Sequence, residues 1–228
     1  MKNKIHFLTI TAAVGLVACA GAQFTSSLNT TNVSGQARVN PVVLSPPSST
    51  YALRQIEWGE RGNRPCQLTA QFVDVSDLSD FSNFATDQID VCDGNAGNLR
   101  RVYAPSKADA SEKLVINSVS TCDSKSGNNR RIKGVSIGTS RLSGTREDPS
   151  QYLCRSDDSN GGVVNGPCVA NEVFFRTIEH PNCGDWNARQ SCDAGTVATG
   201  VIVHVNNDEE ITGLQLQCRA VSLTPANP

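Results

Sequence analysis

Several kinds of residue and motif are scarce in this chain, and each scarcity removes a class of function. Among 228 residues there is one methionine and there are three histidines. No cysteines stand as C-x-x-C, and the closest pair, Cys183 and Cys192, is widely spaced. Structural zinc needs close ligand pairs, so no metal site is expected. Beyond the N-terminus no apolar run approaches the ~20 residues that a membrane-spanning helix requires. There is no basic excess either. Removing Met1–Ala18 takes Lys2 and Lys4, and no acid, from 20 basic and 22 acidic side chains, for a net charge of about −4. That balance argues against a nucleic-acid partner. Glycine is frequent and 38% of the residues are hydrophobic. This composition suits a loop-rich β protein with a modest core held by disulfides.

The N-terminus carries an address. Lys2 and Lys4 precede an apolar stretch, Ile5 to Val17, which is too short to span a bilayer stably and reads as an export signal. It ends in Leu16-Val17-Ala18-Cys19, which resembles the lipobox of bacterial lipoproteins. The resemblance implies cleavage after Ala18 and lipid on Cys19. Because Ala20 follows the cysteine, it also implies the outer membrane or cell surface of a Gram-negative bacterium. Residues 19–50 are rich in Ser, Thr, Asn and Gly without a sustained period, and are expected to be a flexible tether. The alternative within them is an edge strand at Pro41-Val42-Val43-Leu44. The folded domain is expected over 51–228.

Eight cysteines remain after Cys19: Cys66, Cys92, Cys122, Cys154, Cys168, Cys183, Cys192 and Cys218. An even set in an exported chain reads as disulfides. Connectivities number on the order of a hundred. The sequential pairs Cys66–Cys92, Cys122–Cys154, Cys168–Cys183 and Cys192–Cys218 are the expectation, with the last best supported.

Strand signals dominate. Leu214, Leu216 and Cys218 alternate with Gln215 and Gln217. In 196–205, the odd positions Val197, Val201, Val203 and Val205 are expected to share a face with Thr199. Residues 206–210 supply the turn between them. Further strands are expected at 54–58, 67–75, 101–103, 114–119, 131–137 and 173–178. The one helical signal is Val75 to Ile89, with Leu78, Phe81, Phe84 and Ala85 at helical spacing and Ser76 as cap; a short helix or irregular loop is expected there.

Cys92 begins CDGNAGNLRRV, Cys122 begins CDSKSGNNRRI and Cys192 begins CDAGTVATGVIVHV. Each opens Cys-Asp, passes a glycine and enters a strand. About three copies of one unit are therefore expected: Cys-Asp, glycine turn, strand, loop, strand, Cys. The pattern Cys-x-x-Gly-x-x-x-Thr-Gly-Val with Ile-Thr-Gly-Leu-x-Leu-x-Cys-Arg, over 192–219, resembles a module of secreted bacterial proteins. More distantly it is similar to the repeats of vitelline membrane outer layer protein I. That family implies an all-β, disulfide-rich β-prism with threefold pseudo-symmetry, an architecture shared by jacalin-type lectins. The likeness covers under half of the chain. The first unit lacks the Thr-Gly step and residues 155–191 interrupt the spacing, so a β-sandwich is the alternative.

No catalytic site, cofactor or metal is expected. His180 lies in a turn before Cys183, His204 on the outward face of an expected strand, and no nucleophile elbow is recognised. Asp157-Asp158-Ser159-Asn160-Gly161-Gly162 offers oxygen ligands, but the twelfth position of an EF-hand would be Cys168. Glu209-Glu210 reads as a solvated turn. Sugar binding needs an aromatic platform and planar polar groups. Trp58 and Trp186 are the candidates, with Tyr103 and Tyr152 behind them. The paired arginines Arg100-Arg101 and Arg130-Arg131 suit anionic glycans or a solvated face. The expected function is non-enzymatic recognition or adhesion through a lipid anchor. The partner is a glycan or, alternatively, another envelope protein.

Overall fold

The computed structural model describes residues 19–62, 64–92, 98–103, 113–124, 130–142, 172–176, 183–193 and 195–225; at 19–20, 98–103, 141, 172–176, 183–185 and 223–225 only the backbone is described. All regular elements among them are strands: β1 Cys19–Phe24, β2 Asn29–Thr30, β3 Ser34–Gly35, β4 Val42–Leu44, β5 Tyr51–Arg61, β6 Arg64–Asp74, β7 Phe84–Asp90, β8 Asn98–Tyr103, β9 Leu114–Ser124, β10 Ile132–Arg141, β11 Glu172–Arg176, β12 Cys183–Trp186, β13 Gln190–Ser191, β14 Thr196–Val205 and β15 Ile211–Pro225.

Three long antiparallel hairpins, β5–β6, β9–β10 and β14–β15, each form the middle of one sheet. The first sheet runs β7-β6-β5-β8. The second runs β11-β10-β9-β12, with β13 also on β9. The third runs β1-β15-β14-β4, with β2 and β3 also on β15. Each hairpin touches the other two. Their inner faces share one core that includes Ile56, Trp58 and Phe72 from the first, Ile116, Val119 and Ile137 from the second, and Val201, Leu214 and Leu216 from the third. This is a β-prism. A lone hairpin cannot bury its apolar face, whereas three can bury theirs against one another.

The structural repeat differs from the one written in the cysteines. In every hairpin the first strand gains one residue near its start, at Arg54, Asn117 or Thr199. The second strand gains one near its start, at Cys66, Lys133 or Thr212. These matched bulges coil the three hairpins alike. The Cys92-to-Cys122 stretch is not a hairpin: it leaves the first sheet by β8 and enters the second by β9. Cys122 sits inside β9, while Cys192 lies ahead of β14. The shared Cys-Asp openings therefore do not mark equivalent places in the prism.

Two expected disulfides are present, Cys66–Cys92 and Cys192–Cys218, each closing 26 residues. Each is worth on the order of 3 kcal/mol in the loop-entropy picture. Cys122 is also disulfide-bonded. Cys154 and Cys168 lie outside the described residues, as does the side chain of Cys183, and with them the pairings Cys122–Cys154 and Cys168–Cys183.

The segment expected as a tether is built into the third sheet. β1 pairs with 221–225, β2 with 217–218 and β3 with 213–214, so the chain runs antiparallel along β15. It then crosses to the far edge, where β4 pairs with 201–203 of β14. The alternative of a strand at Val42–Leu44 is the one adopted. Ala22, Ser34 and Leu44 are each 1% exposed or less. Ser34 Oγ lies 3.1 Å from Thr121 Oγ1 and accepts the Thr121 N–H at 2.8 Å, joining this segment to the second sheet. Gly35 adopts φ 101°, and a Cβ there would meet Thr212 O at 2.4 Å, so only glycine fits.

No helix forms at 75–89. The stretch reads Asp-Val-Ser, Asp-Leu-Ser, Asp-Phe-Ser. Asp74 Oδ1 accepts the Ser76 N–H at 3.0 Å, Asp77 Oδ1 accepts the Ser79 N–H at 2.8 Å, and Ser82 Oγ donates to Asp80. These local turns compete with a helix. They also turn Val75, Leu78 and Phe81 inward every third residue, which mimics helical spacing. Phe84–Asp90 is then the strand β7.

Candidate functional site

The aromatic residues proposed as platforms do not make a site together. Trp58 is 2% exposed, on the inner face of β5 among Ile56, Leu68 and Phe72. It is a core anchor and offers no ring to a ligand, because the bulge at Arg54 keeps Leu53, Ile56 and Trp58 on one face. Trp186 is half-buried on β12, paired with Cys122. The side chain of Tyr103 and the whole of Tyr152 lie outside the described residues, as does His180.

Other polar candidates are spent on structure. His204 is 3% exposed, not outward in solvent. Its Nδ1 accepts the Arg38 N–H at 2.9 Å and its Nε2 lies 2.9 Å from Gln215 Oε1. With Nδ1 as acceptor, Nε2 is the nitrogen that donates to Gln215 Oε1, and the ring is a strut beneath the N-terminal segment. Glu210 is likewise no solvated turn residue. Its carboxylate is 4% exposed and meets Arg131 Nη1 at 2.9 Å and Arg64 Nε at 3.4 Å. It thus ties the turn of the third hairpin to the start of β6 and to the approach to β10. Asn206 Oδ1 accepts the N–H groups of Asp208 and Glu210 and shapes that turn. Gly134-Val135-Ser136-Ile137-Gly138 does spell Gly-x-Ser-x-Gly, against the expectation of none. It runs through the middle of β10, with no turn into a helix, and Ser136 Oγ accepts Arg189 Nη2 at 2.6 Å.

Asp123 follows Cys122 and is 6% exposed. Burial pushes its carboxyl above the ordinary aspartate range, against a hydrogen bond from Asn187 and the nearby Arg130 charge. A raised folded pKa means that this group favours folding when protonated. Its contribution is full below about 3.8 and is lost as the pH rises through the folded value. Asp123→Asn should therefore raise the melting temperature at pH 7 and leave it nearly unchanged at pH 3. Equal shifts at both pH values in a thermal melt would contradict this account.

A cleft of about 280 Å³ is lined by Leu28, Ser45, Pro46, Ser48, Ser49, Tyr51, Thr199, Gln217 and Arg219. Its floor is the third hairpin. Gln217 and Arg219 share one face of β15 because side chains alternate along a strand. Thr199 is the extra residue of the β14 bulge, between Ala198 opposite Cys218 and Gly200 opposite Gln217. The bulge switches the alternation, so Ala198 and Val201 both enter the central core. Val197 joins a second cluster with Ala22 and Val221, and Thr199 is left at the cleft. The walls are the β1–β2 loop at Leu28 and the β4–β5 loop at 45–49, both from the segment expected as a tether.

Tyr51 is half-buried against the core at one edge. Its hydroxyl, the Gln217 amide and the Ser49 hydroxyl make no hydrogen bond to other described residues. Arg219 Nη1 donates to Thr25 O at 3.3 Å. A second hollow of about 430 Å³, lined by Gly21, Ala22, Gln23, Phe24, Ser49, Thr50 and Ser76, shares Ser49 with the first. No residue of either lining is Asp, Glu, His or Cys.

Gly200 holds this arrangement open. A Cβ there would lie 2.4 Å from Gln217 Oε1 and 3.2 Å from Leu44 O. Gly200→Ala should displace the Gln217 side chain from the cleft at a stability cost of about 1 kcal/mol, since a flexible side chain yields first. Amide chemical shifts that move at Gln217 and Tyr51, with a melt lowered by only about 2–4 °C, would bear this out. Unchanged shifts at Gln217 would contradict it. The outward Gln217 of β15 was legible as alternation, but nothing in the local sequence marked Tyr51 or Thr199.

The sequence matches no protein-family model and no curated protein. Among solved structures the chain is similar to Calystegia sepium agglutinin, at 11% identity and a TM-score of 0.47, covering 86% of this chain and 99% of that one. The same figures for the Calsepa lectin in complex with a biantennary N-glycan are 12%, 0.48, 86% and 99%. For a Malaysian banana lectin they are 11%, 0.45, 88% and 100%.

Proposed function

We propose that this protein is a non-enzymatic, lipid-anchored recognition or adhesion protein of the bacterial surface that binds carbohydrate in the Tyr51 cleft. The observation that carries the reading is the lining itself. One aromatic ring stands beside an uncommitted planar amide, a guanidinium and several hydroxyls, on a rigid three-sheet scaffold. Sugars present apolar C–H faces to rings and rows of hydroxyls to such groups. The absence of acidic, imidazole and thiol groups from the lining suits binding rather than turnover. Lipid on Cys19 is part of the proposal. Cys19 opens β1 opposite Pro225, so an anchor there would seat the prism directly against the bilayer, without a spacer.

A glycan-array screen of the full-length protein, beside Tyr51→Ala and Gly200→Ala, tests the reading. Binding that is lost in folded variants supports it, and silence across the array sinks it. A second reading, an accessory envelope lipoprotein that binds another protein, draws on one observation. β4 is an edge strand with Val42 and Val43 39% and 46% exposed, and Val39 beside it is 95% exposed. An open apolar edge of this kind can pair with a second chain.

A further inference from the structure

Among the described residues that line it, the cleft contains one formal charge and no acidic group. Arg219 is the only ionised side chain among its nine lining residues. Its one hydrogen bond among the described residues goes to a neutral acceptor, the Thr25 carbonyl. Arg64 and Arg131, by contrast, share the buried Glu210 carboxylate. Asp87 meets the cleft wall through the Ser45 N–H at 3.0 Å, on a strand of the first sheet, and is not in the lining. In a chain with more acidic than basic side chains, a half-buried cation with no acidic partner among the described residues, set beside hydroxyls and an amide, suits an anion.

Building on the carbohydrate reading, we propose that the cleft selects an acidic saccharide and that Arg219 pairs with its carboxylate. Tyr51 would take the apolar face of the ring, while Gln217, Thr199 and the serines of the 45–49 loop would meet its hydroxyls. A guanidinium suits this task because its planar fork matches a carboxylate with two parallel N–H···O bonds. The Thr25 contact on Nη1 fixes the side chain and leaves the other guanidinium nitrogens available. A neutral sugar in the same place would leave the cation hydrated and gain nothing from it.

The test is calorimetric titration of the full-length protein with matched pairs that differ only at C6: trigalacturonate against the neutral galactose trimer, and glucuronate against glucose. The acidic member should bind about tenfold more tightly, the yield expected of one charge-assisted bidentate contact in a partly hydrated site. Added salt should weaken the acidic ligand and leave the neutral one unchanged. Arg219→Gln should bring the two to the same affinity. Arg219→Lys, which keeps the charge but not the fork, should keep a reduced preference. Equal binding of acidic and neutral sugars by the native protein would overturn this inference and leave the carbohydrate reading standing. Failure of every sugar to bind would overturn both. A preference that survives intact in Arg219→Gln would remove Arg219 from the role, and equal affinity for a sulfated trimer would refute the carboxylate assignment.

Discussion

A chain beginning at Tyr51 is expected not to fold. The segment before it looks dispensable in sequence, yet it supplies both outer partners of the third hairpin. Removing 19–50 strips β15 of β1, β2 and β3, and strips β14 of β4. It also takes Ala22 and Leu44 out of the core and leaves the buried Thr121 N–H without Ser34. Loss of a side chain such as Leu44 alone costs about 2–5 kcal/mol. A buried donor left unpaired adds roughly 1–3 kcal/mol. Together these consume most of a typical stability of about 5–15 kcal/mol, before the unpaired strand edges are counted. Circular dichroism melts and size exclusion should show a chain from Ala20 unfolding cooperatively and a chain from Tyr51 aggregating without a transition. A cooperative melt of the shorter chain within a few degrees of the longer would refute the embedded role of the segment. The consequence for function is direct. Leu28 and the 45–49 loop wall the Tyr51 cleft, so a truncated domain that fails to bind would say nothing about carbohydrate recognition.

Trp58→Ala is expected to be the most damaging single substitution among the aromatic candidates. The indole fills the centre of the shared core, and its removal leaves a cavity that β5, pinned between β6 and β8, cannot collapse to fill. A loss of about 3–5 kcal/mol is expected. Trp58→Phe separates packing from polarity. The Trp58 Nε1 group is buried with no hydrogen-bond partner among the described residues, so deleting it sacrifices none of their bonds and the cost should fall to about 1–2 kcal/mol. Trp186→Ala, at a half-buried place on β12, should cost less than Trp58→Ala. Urea unfolding of the three variants gives the order. A Trp58→Ala protein as stable as the native one would mean that the inner face of β5 is misassigned. Binding lost in Trp58→Ala would reflect an unfolded chain, whereas binding lost in Tyr51→Ala would locate a site.

Leu214, Leu216 and Cys218 face inward and Gln215 and Gln217 outward, as their alternation required. The disulfides Cys66–Cys92 and Cys192–Cys218 join the cysteines that were paired in sequence order. Thr199 was assigned to the wrong company because one extra residue in β14 reverses the faces, and a bulge leaves no mark in apolar periodicity. β2 and β3 are two residues each, too short to show any period. The Asp-x-Ser triplets imitated a helix because a repeat of three is close to 3.6.

Composition, cysteine parity and the period of two determined an all-β, disulfide-held chain, since each is a local or additive property. Tertiary structure decided what is buried and what is presented. His204 reads as an outward residue until Arg38, 166 positions away, covers it. Glu210 reads as solvated until Arg64 and Arg131 arrive from the other two hairpins. The cleft exists only where Leu28, Tyr51, Thr199 and Arg219 meet. Burial and charge pairing depend on which distant segments share a surface, and no window along the chain contains that information.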